Sequence, residues 1–389
     1  MRDAVIVEAV RTPVGKRNGG LSGVHPVDLS AHVLESLVSR AGLDPALVDD
    51  VVWGVVSQAG EQTWDLARNA VIAAGWPEDV TGVTVDRQCG SSQQSVHFAA
   101  AGPIAGQYDV VVAGGVESMS RVPMGFSAQG ADPLGPRYAA RVGVTPNQIV
   151  GAEMIASRWG LSRTACDEFS VASHERAAAA WAEGRFDGQV APVTLPDGSV
   201  ISSDEGVRPG SSVETLAGLK TVLKQDDSVR ATTTGAVITA GNSSQISDGA
   251  AALLMMTSSR AAELGLTPIA RVHTAVLAGA DPIIMLTAPI PATAKALRKA
   301  GLSLDEIGAF EVNEAFAPVP MAWHAEFPCD AKALNPNGGA IALGHPLGGS
   351  GARIMTTLVH HMRDNGIRYG LQTMCEGGGQ ANATILELL

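Results

Sequence analysis

Strand-like and helix-like stretches alternate along the first third of this 389-residue chain, and the same order returns near its end. Together these observations predict an α/β protein built from two similar halves. A long middle segment of different character adds the third feature, an inserted loop domain.

The elements follow in order. The apolar run "AVIVEAV" (4–10) reads as a buried strand, and "DLSAHVLESLVSRAGL" (28–43) has the spacing of an amphipathic helix. "VDDVVWGVV" is a second strand, "DLARNAVIAAG" a helix, and "GVTVD" a strand. A helix then follows Cys89, and "YDVVVAGGVESMS" closes the half as a strand. Such continuous apolar strands between helices predict largely parallel, doubly covered sheets with right-handed crossovers.

The segment Ala41–Gly54, "AGLDPALVDDVVWG", aligns without gaps on Ala300–Asn313, "AGLSLDEIGAFEVN", at an offset of 259 residues. Each copy continues into a Gly/Ser-rich turn opening a helix ("CGSSQQSVHFAAAG" and "GGSGARIMTTLVHHM") and a strand ending in glycines ("DVVVAGG" and "GLQTMCEGGG"). The expected division is an N-terminal half over 1–118, to which roughly 245–257 return, an insertion over 119–250, and a C-terminal half over 258–389. Within the insertion stand "DPLGPRY", "LPDGSV", the long helix "RTACDEFSVASHERAAAAWAEGRF" and the cations Arg208, Lys220, Lys224 and Arg230.

The formal net charge of −12 repels phosphate backbones, so the chain is expected to bind neither nucleic acid nor anionic membranes, and an anionic ligand needs a local basic patch. No apolar stretch is long enough for a membrane span. The N-terminus enters a strand without a separate apolar signal region, and Cys89, Cys166, Cys329 and Cys375 lack metal-ligand spacing. These features lead to the expectation of a reducing, cytoplasmic setting.

Four stretches could carry chemistry. In "DRQCGSSQQSVHFAA", Cys89 stands at a strand-to-helix junction, where free N–H groups and the helix dipole favour a thiolate. The competing reading is a buried structural cysteine, and the following glycine and serines suit a helix cap better than a core. In "GGAIALGHPLGGSGAR", His345 follows an apolar strand and precedes a glycine-rich turn, a placement for a general base or an oxyanion donor as well as for an ordinary buried histidine. "VNEAFAP" puts Asn313 and Glu314 at a strand end, where helix capping is the plain alternative. Cys375 is followed by Gly377, Gly378 and Gly379 in "TMCEGGGQAN"; since "ANATILELL" then reads as strand, no helix is available for a nucleotide-phosphate loop. Glycines beside a thiol serve better as exposed N–H donors at an oxyanion site.

With these residues in place, the chain resembles the thiolases (acetyl-CoA acetyltransferases and 3-ketoacyl-CoA thiolases) from end to end. The resemblance rests on "VEAVRTPVGK", "CGSSQQ", "TAGNSSQISDGAAA", "DPIIMLTAPIPAT", "VNEAFAP", "NPNGGAIALGHPLGGSGAR" and "MCEGGG", in that order. It implies a layered α-β-α-β-α core and an acyltransferase that cleaves 3-ketoacyl-CoA, or condenses two acyl-CoAs, by a ping-pong route through an acyl-cysteine. On this resemblance Cys89 is the nucleophile, with its N–H and that of Gly377 binding the thioester oxygen. Cys375 is the acid/base, and His345 activates Cys89 and, with a water held by Asn313, stabilises an enolate. Ser244 and Arg208 are implied contacts for the pantetheine and phosphate portions of CoA, while Met285, Phe316 and Ala315 line the substrate pocket. No cofactor is implied, since acyl-CoA, acetyl-CoA and CoA are substrates. A homodimer or homotetramer is implied, the latter built through residues around Ser120–Arg141.

Departures from the family pattern are Ala381, where a further glycine is usual, and "QIVGAEMIA" (148–156), where short-chain members carry a His-Met-Gly stretch. The first predicts a local packing change without loss of chemistry, and the second departs from acetoacetyl specificity. "CGSSQQ" and "TMCEGGGQAN" resemble the degradative and steroid-catabolic branch. Two alternatives stand beside this reading. A ketoacyl-synthase-like enzyme would need a second histidine where Cys375 lies, and a non-catalytic acyl-CoA- or sterol-binding protein would be expected to have lost one of Cys89, His345 or Cys375.

Overall fold

The computed structural model describes residues 2–223 and 235–389. Its strands are β1 (Val5–Arg11), β2 (Gly15–Lys16), β3 (Asp50–Gly54), β4 (Thr81–Val85), β5 (Val110–Ser118), β6 (Val193–Thr194), β7 (Val200–Ile201), β8 (Ser247–Met256), β9 (Ala270–Gly279), β10 (Ala309–Val312), β11 (Tyr369–Glu376) and β12 (Gln380–Leu388). Ten of them form one sheet in the order β10-β11-β12-β9-β1-β8-β5-β3-β4, with β2 beside β8. The two halves of this sheet meet through only two residue pairs, Val5↔Arg271 and Ile6↔Ala270.

The period of two along each strand sorts side chains into layers. Val51 and Trp53 of β3, with Val110 and Val112 of β5, pack under the helices Pro26–Ala41 and Leu66–Ala73. Their neighbours Val52, Val111 and Ala113 face the helices Ser91–Ala105 and Ser350–Asn365. On the far side, Leu371, Ala383 and Ile385 pack under the helix Pro289–Ala300. The result is the expected α-β-α-β-α stack. The two central helices are covered by sheet and by each other, so Ser91–Ala105 is buried nearly all round instead of showing one apolar stripe.

One expectation is corrected. The sheet is not largely parallel: only β3–β4, β3–β5 and β10–β11 run parallel, and β1–β8, β5–β8, β1–β9, β2–β8, β9–β12 and β11–β12 are antiparallel. A strand covered by helices on both faces reads as a continuous apolar run whatever its direction. Direction is set here by connections the run does not encode, such as the tight β11–β12 hairpin.

The internal repeat is a structural one. Asp50 pairs with Val111 and, 259 residues on, Ala309 pairs with Gly370, so β3–β5 and β10–β11 are the same ladder twice. In the first half the chain leaves after β5 and returns as β8; at the matching point of the second half only Gly377–Gly379 join β11 to β12. The excursion contains the helices Gln148–Arg158 and Arg163–Ala182 and the small β6–β7 ladder. Arg11, at the end of β1, is tied to it by a fully buried two-pronged pair with Asp204, at 2.7 and 3.0 Å. Lys224 and Arg230 lie outside the described residues.

Candidate active site

A cavity of about 530 Å³ opens where the two glycine turns and the insertion meet. Cys89, His345, Cys375 and Gly377 line it, together with Ser244, Arg208, Met285, Ala315 and Phe316. Asn313 is not on the wall but sits behind His345, its Nδ2 3.4 Å from His345 Nε2. All ten residues singled out in the sequence therefore converge, although they are spread from position 89 to position 377.

Cys89 lies just before Gly90, the cap of the Ser91–Ala105 helix. The turn is closed by Ser91 Oγ, which accepts the Arg87 N–H (2.9 Å) and donates to the Gln88 carbonyl (2.6 Å). Gln88 takes a left-handed φ of 48°, a conformation non-glycine residues rarely hold and which here aims the Cys89 turn at the cavity. Across from it, β11 delivers Cys375, 1% exposed, and the hairpin turn delivers Gly377. Among the described residues, neither the Cys89 N–H nor the Gly377 N–H has a recorded protein acceptor, and both residues line the cavity.

The surroundings of Cys89 oppose the pull of the helix terminus toward a thiolate. Burial pushes its thiol up to about 12, and the Glu376, Glu117 and Asp86 carboxyls add to the rise; its own backbone N–H lowers it only in part. Burial likewise holds Cys375 well above the ordinary thiol value, with Cys89 and Glu376 beside it. The helix terminus supplies a fraction of a charge, which desolvation outweighs. Burial thus favours the thiol form of both sulfurs.

His345 lines the same cavity. The residues before it, Ala340–Leu343, form a single helical turn and not the apolar strand expected; four buried residues do not distinguish the two periods. Gly344 then breaks the helix at φ 96°, ψ 166°, and the His345 N–H donates to Ser247 Oγ (3.1 Å) and to the Gln245 carbonyl (3.3 Å). The ring is 3% exposed, more enclosed than its glycine neighbours suggest. Its Nδ1 is 2.6 Å from Ser350 Oγ, which itself donates to the Pro346 carbonyl (2.8 Å). Ser350 Oγ must then accept from Nδ1–H, leaving the Nε2 lone pair free toward the cavity and the Asn313 amide. Desolvation, helped by the Arg353 charge, lowers the imidazole to about 3, so it stands neutral at rest with its Nε2 unprotonated.

Neither Asn313 nor Glu314 caps a helix. The cap position of Pro318–Glu326 is Ala317, and Glu314 instead accepts from Asn335 Nδ2, Ser173 Oγ and the Ile341 N–H, fixing the loop that carries His345. Met285 holds φ 34°, another left-handed position on the cavity wall.

Several wall residues escaped the sequence reading, among them Lys16 and Arg17, whereas Arg208 was expected there. Lys16, Arg17 and Arg208 form a cationic mouth on an otherwise acidic protein, the local basic patch that an anionic ligand requires. Lys220 is exposed and off the wall. Gln148 and Ile149, at the departure from the short-chain pattern, open a helix capped by Asn147 and line the apolar part with Met119, Met124 and Leu347. Ala381 is buried beneath the Pro289–Ala300 helix and off the cavity wall.

The chain matches known proteins along its whole length. The family description "Thiolase, N-terminal domain" matches residues 4–259 and "Thiolase, C-terminal domain" matches 266–388. The steroid 3-ketoacyl-CoA thiolase FadA6 of Mycobacterium tuberculosis is 47% identical over the whole chain and 95% of its own length. A 3-ketoacyl-CoA thiolase of Photobacterium profundum is 44% identical, with full coverage of both. The crystal structure of the Bacillus anthracis acetyl-CoA acetyltransferase superposes with a TM-score of 0.91 at 36% identity, covering 100% of this chain and 99% of that one. This chain belongs to the thiolase family of acyltransferases.

Proposed function

We propose that the chain cleaves 3-ketoacyl-CoA with CoA through an acyl-Cys89 intermediate. The observation that carries the reading is one half-buried and one buried thiol, a neutral imidazole and two backbone N–H groups without a protein acceptor, all brought to one cavity. Cys89 gives its proton to His345 Nε2, and its sulfur attacks the 3-keto carbon, whose oxygen takes up charge toward the N–H groups of Cys89 and Gly377. As the C2–C3 bond breaks, the electron pair passes to the thioester enolate, held from the His345–Asn313 side, and Cys375 protonates C2 to release acetyl-CoA. The Cys375 thiolate then takes the proton of incoming CoA, and the CoA sulfur displaces Cys89 from the acyl group. His345 returns the proton to Cys89. Run backwards, the same steps condense two acyl-CoAs.

Lys16, Arg17 and Arg208 receive the phosphates of CoA, and the wall of Gln148, Ile149, Met285 and Phe316 receives the acyl chain. No metal or redox cofactor takes part, so activity is expected to survive dialysis against EDTA. The relative named as a steroid thiolase supports a bulky, ring-derived acyl group, and a series from acetoacetyl-CoA upward measures that preference. A reducing cytoplasm suits the four unpaired cysteines, and among the described residues no helix is long and apolar enough to cross a membrane. Homodimers or homotetramers are the working assembly: β4 is an edge strand whose Val83 is 43% exposed, a surface that soluble proteins usually cover.

The direct test is mass spectrometry after incubation with acetyl-CoA. One acetyl group on Cys89, absent in Cys89→Ser, is expected; an unmodified wild-type protein or acetyl transfer by Cys89→Ser at the wild-type rate would sink the reading.

A further inference from the structure

The repeat relates Glu376 to Glu117: the shared offset of 259 carries β5 onto β11 and the Ser91 helix onto the Ser350 helix. Each glutamate sits at the end of its strand, against the turn that opens the central helix of the other half. Glu117 lies under Gly348, where an added Cβ would come within 2.8 Å of its Oε2. Its carboxylate is saturated, accepting N–H groups from Gly348 (2.8 Å), Val56 (2.9 Å) and Ser57 (3.1 Å) and the Gln62 amide (2.7 Å). It is a structural staple.

Glu376 occupies the matching place under Gly90, next to the nucleophile, so close that a side chain at position 90 would have to displace the Glu376 carboxyl or the Asn382 amide. The surrounding turn is interlocked with the β11–β12 hairpin. Arg87 Nη1 donates to Gln380 Oε1 (2.9 Å), and Gln88 packs on Gly377, where an added Cβ would lie 2.9 Å from Gln88 Oε1. Asn382 stands between the two elements: its N–H donates to Glu376 Oε1 (3.0 Å), and with its amide nitrogen turned to Glu376 its oxygen accepts the Gln94 N–H (3.3 Å). Unlike its mate, Glu376 is not saturated. Its Oε2 is buried without a partner, and so is the Nε of Arg87.

We propose that Glu376 is a positioning residue that seats the Cys89 turn against the Cys375 hairpin and, by carrying or losing its proton, sets how readily Cys89 ionises. The proposal rests on the thiolase reading for its consequence in turnover, but not for its effect on the thiol. The charged and titratable groups facing Glu376 are Arg87 and Asp86 on the nucleophile turn, Cys89 itself and the neighbouring Cys375; Asn382, on β12, is uncharged. Burial pushes the Glu376 carboxyl up to about 8, against the Arg87 charge and the Asn382 N–H. A carboxyl that is neutral at pH 7 leaves the thiol pair without an adjacent anion. Above pH 8 it ionises and opposes formation of either thiolate.

The test measures the rate of Cys89 alkylation by iodoacetamide between pH 6.5 and 10 in wild type, Glu376→Gln and Glu376→Ala, with turnover recorded in parallel. Glu376→Gln keeps the shape and fixes the neutral state; it should match wild-type turnover within about twofold at pH 7 and alkylate at least threefold faster at pH 9. Glu376→Ala loses the clamp and should lose tenfold or more in turnover at pH 7 while Cys89 still alkylates. Superimposable alkylation profiles for wild type and Glu376→Gln, or full turnover by Glu376→Ala, would overturn the proposal. If acyl-CoA leaves Cys89 unmodified in wild type, the thiolase reading fails, and the alkylation profiles still decide the role of Glu376.

Discussion

Replacing Gly344 by alanine tests how strictly the backbone before His345 is specified. At φ 96° and ψ 166° this residue occupies a region essentially reserved for glycine, and forcing a side chain into it costs roughly 1–3 kcal/mol. The new Cβ would also press into Ser247 Oγ and lie 2.7 Å from Val14 Cγ1, and overpacking of this kind adds about 1–3 kcal/mol. The sum, about 2–6 kcal/mol, falls partly on a contact that matters for chemistry, because Ser247 Oγ is an acceptor that anchors the His345 N–H. Shifting the imidazole by an ångström is expected to lower kcat by about 10²-fold. Gly301→Ala is the control: its φ of 69° is also left-handed, but nothing lies within 4 Å, so only about 1 kcal/mol and no activity should be lost. Thermal melting and kcat for 3-ketoacyl-CoA thiolysis, measured on both variants, separate the two effects. Equal melting temperatures and wild-type kcat in Gly344→Ala would refute the reasoning.

Further outcomes follow from the same geometry. Cys375→Ala should still accept an acyl group on Cys89 from acyl-CoA yet lose about 10²–10⁴-fold in thiolysis, as removal of a positioned acid/base does; loss of both activities together would contradict the separate roles. Arg208→Ala, at the exposed mouth, should raise the KM for CoA substrates severalfold with kcat unchanged, a pattern of lost uniform binding that steady-state kinetics at low and high salt reveals. His97 bonds Thr384 Oγ1 (2.8 Å) in the core and is lowered by burial to about 3. Between that value and about 6.5 the unfolded chain binds the extra proton, so wild type loses stability relative to His97→Gln as pH falls, by up to roughly 1.4 kcal/mol per pH unit. Denaturation midpoints at pH 7 and pH 5 measure the difference, and an unchanged gap between the two proteins would refute the buried neutral ring.

The chain alternation, the repeat and the chemistry-bearing residues were legible because each leaves a local trace. A helix of 16 residues such as Pro26–Ala41 repeats its apolar spacing over four turns, and Cys89 and His345 stand beside glycine turns that no ordinary core needs. What was not legible depends on packing between distant segments. Strand direction in β8 and β12 is set by the connections that return the chain. The one-turn helix Ala340–Leu343 is too short to show a period. The Cys89 thiol is pushed up by burial and then by the Glu376, Glu117 and Asp86 carboxyls, none of which the Gly/Ser context announces. Lys16 was read only as the end of a motif and Arg17 not at all, since their place on the cavity wall appears when Asp204 pins the preceding Arg11 to the insertion.

The two halves supply unlike groups from like positions, and that explains why one scaffold can hold an asymmetric reaction. At the offset of 259, Cys89 corresponds to Gly348, and Cys375 corresponds to Val116. A symmetric site would therefore place either two nucleophiles or two blank glycines at the helix openings. Instead, the first half presents a sulfur on its turn and a saturated staple, Glu117, on its strand. The second presents a backbone turn that leads in from His345 and, on its strand, a sulfur beside the unsaturated Glu376. The connection after that strand completes the division of labour. Gly377–Gly379 turn tightly and leave an N–H bare, whereas the matching connection in the first half has grown into the segment from Met119 to Ile246, which walls the cavity with Gln148, Ile149 and Arg208. Because the tight turn only links β11 to β12 and the long connection shapes the pocket, changes in acyl specificity should concentrate in the insertion and leave the Cys375–Gly379 turn untouched.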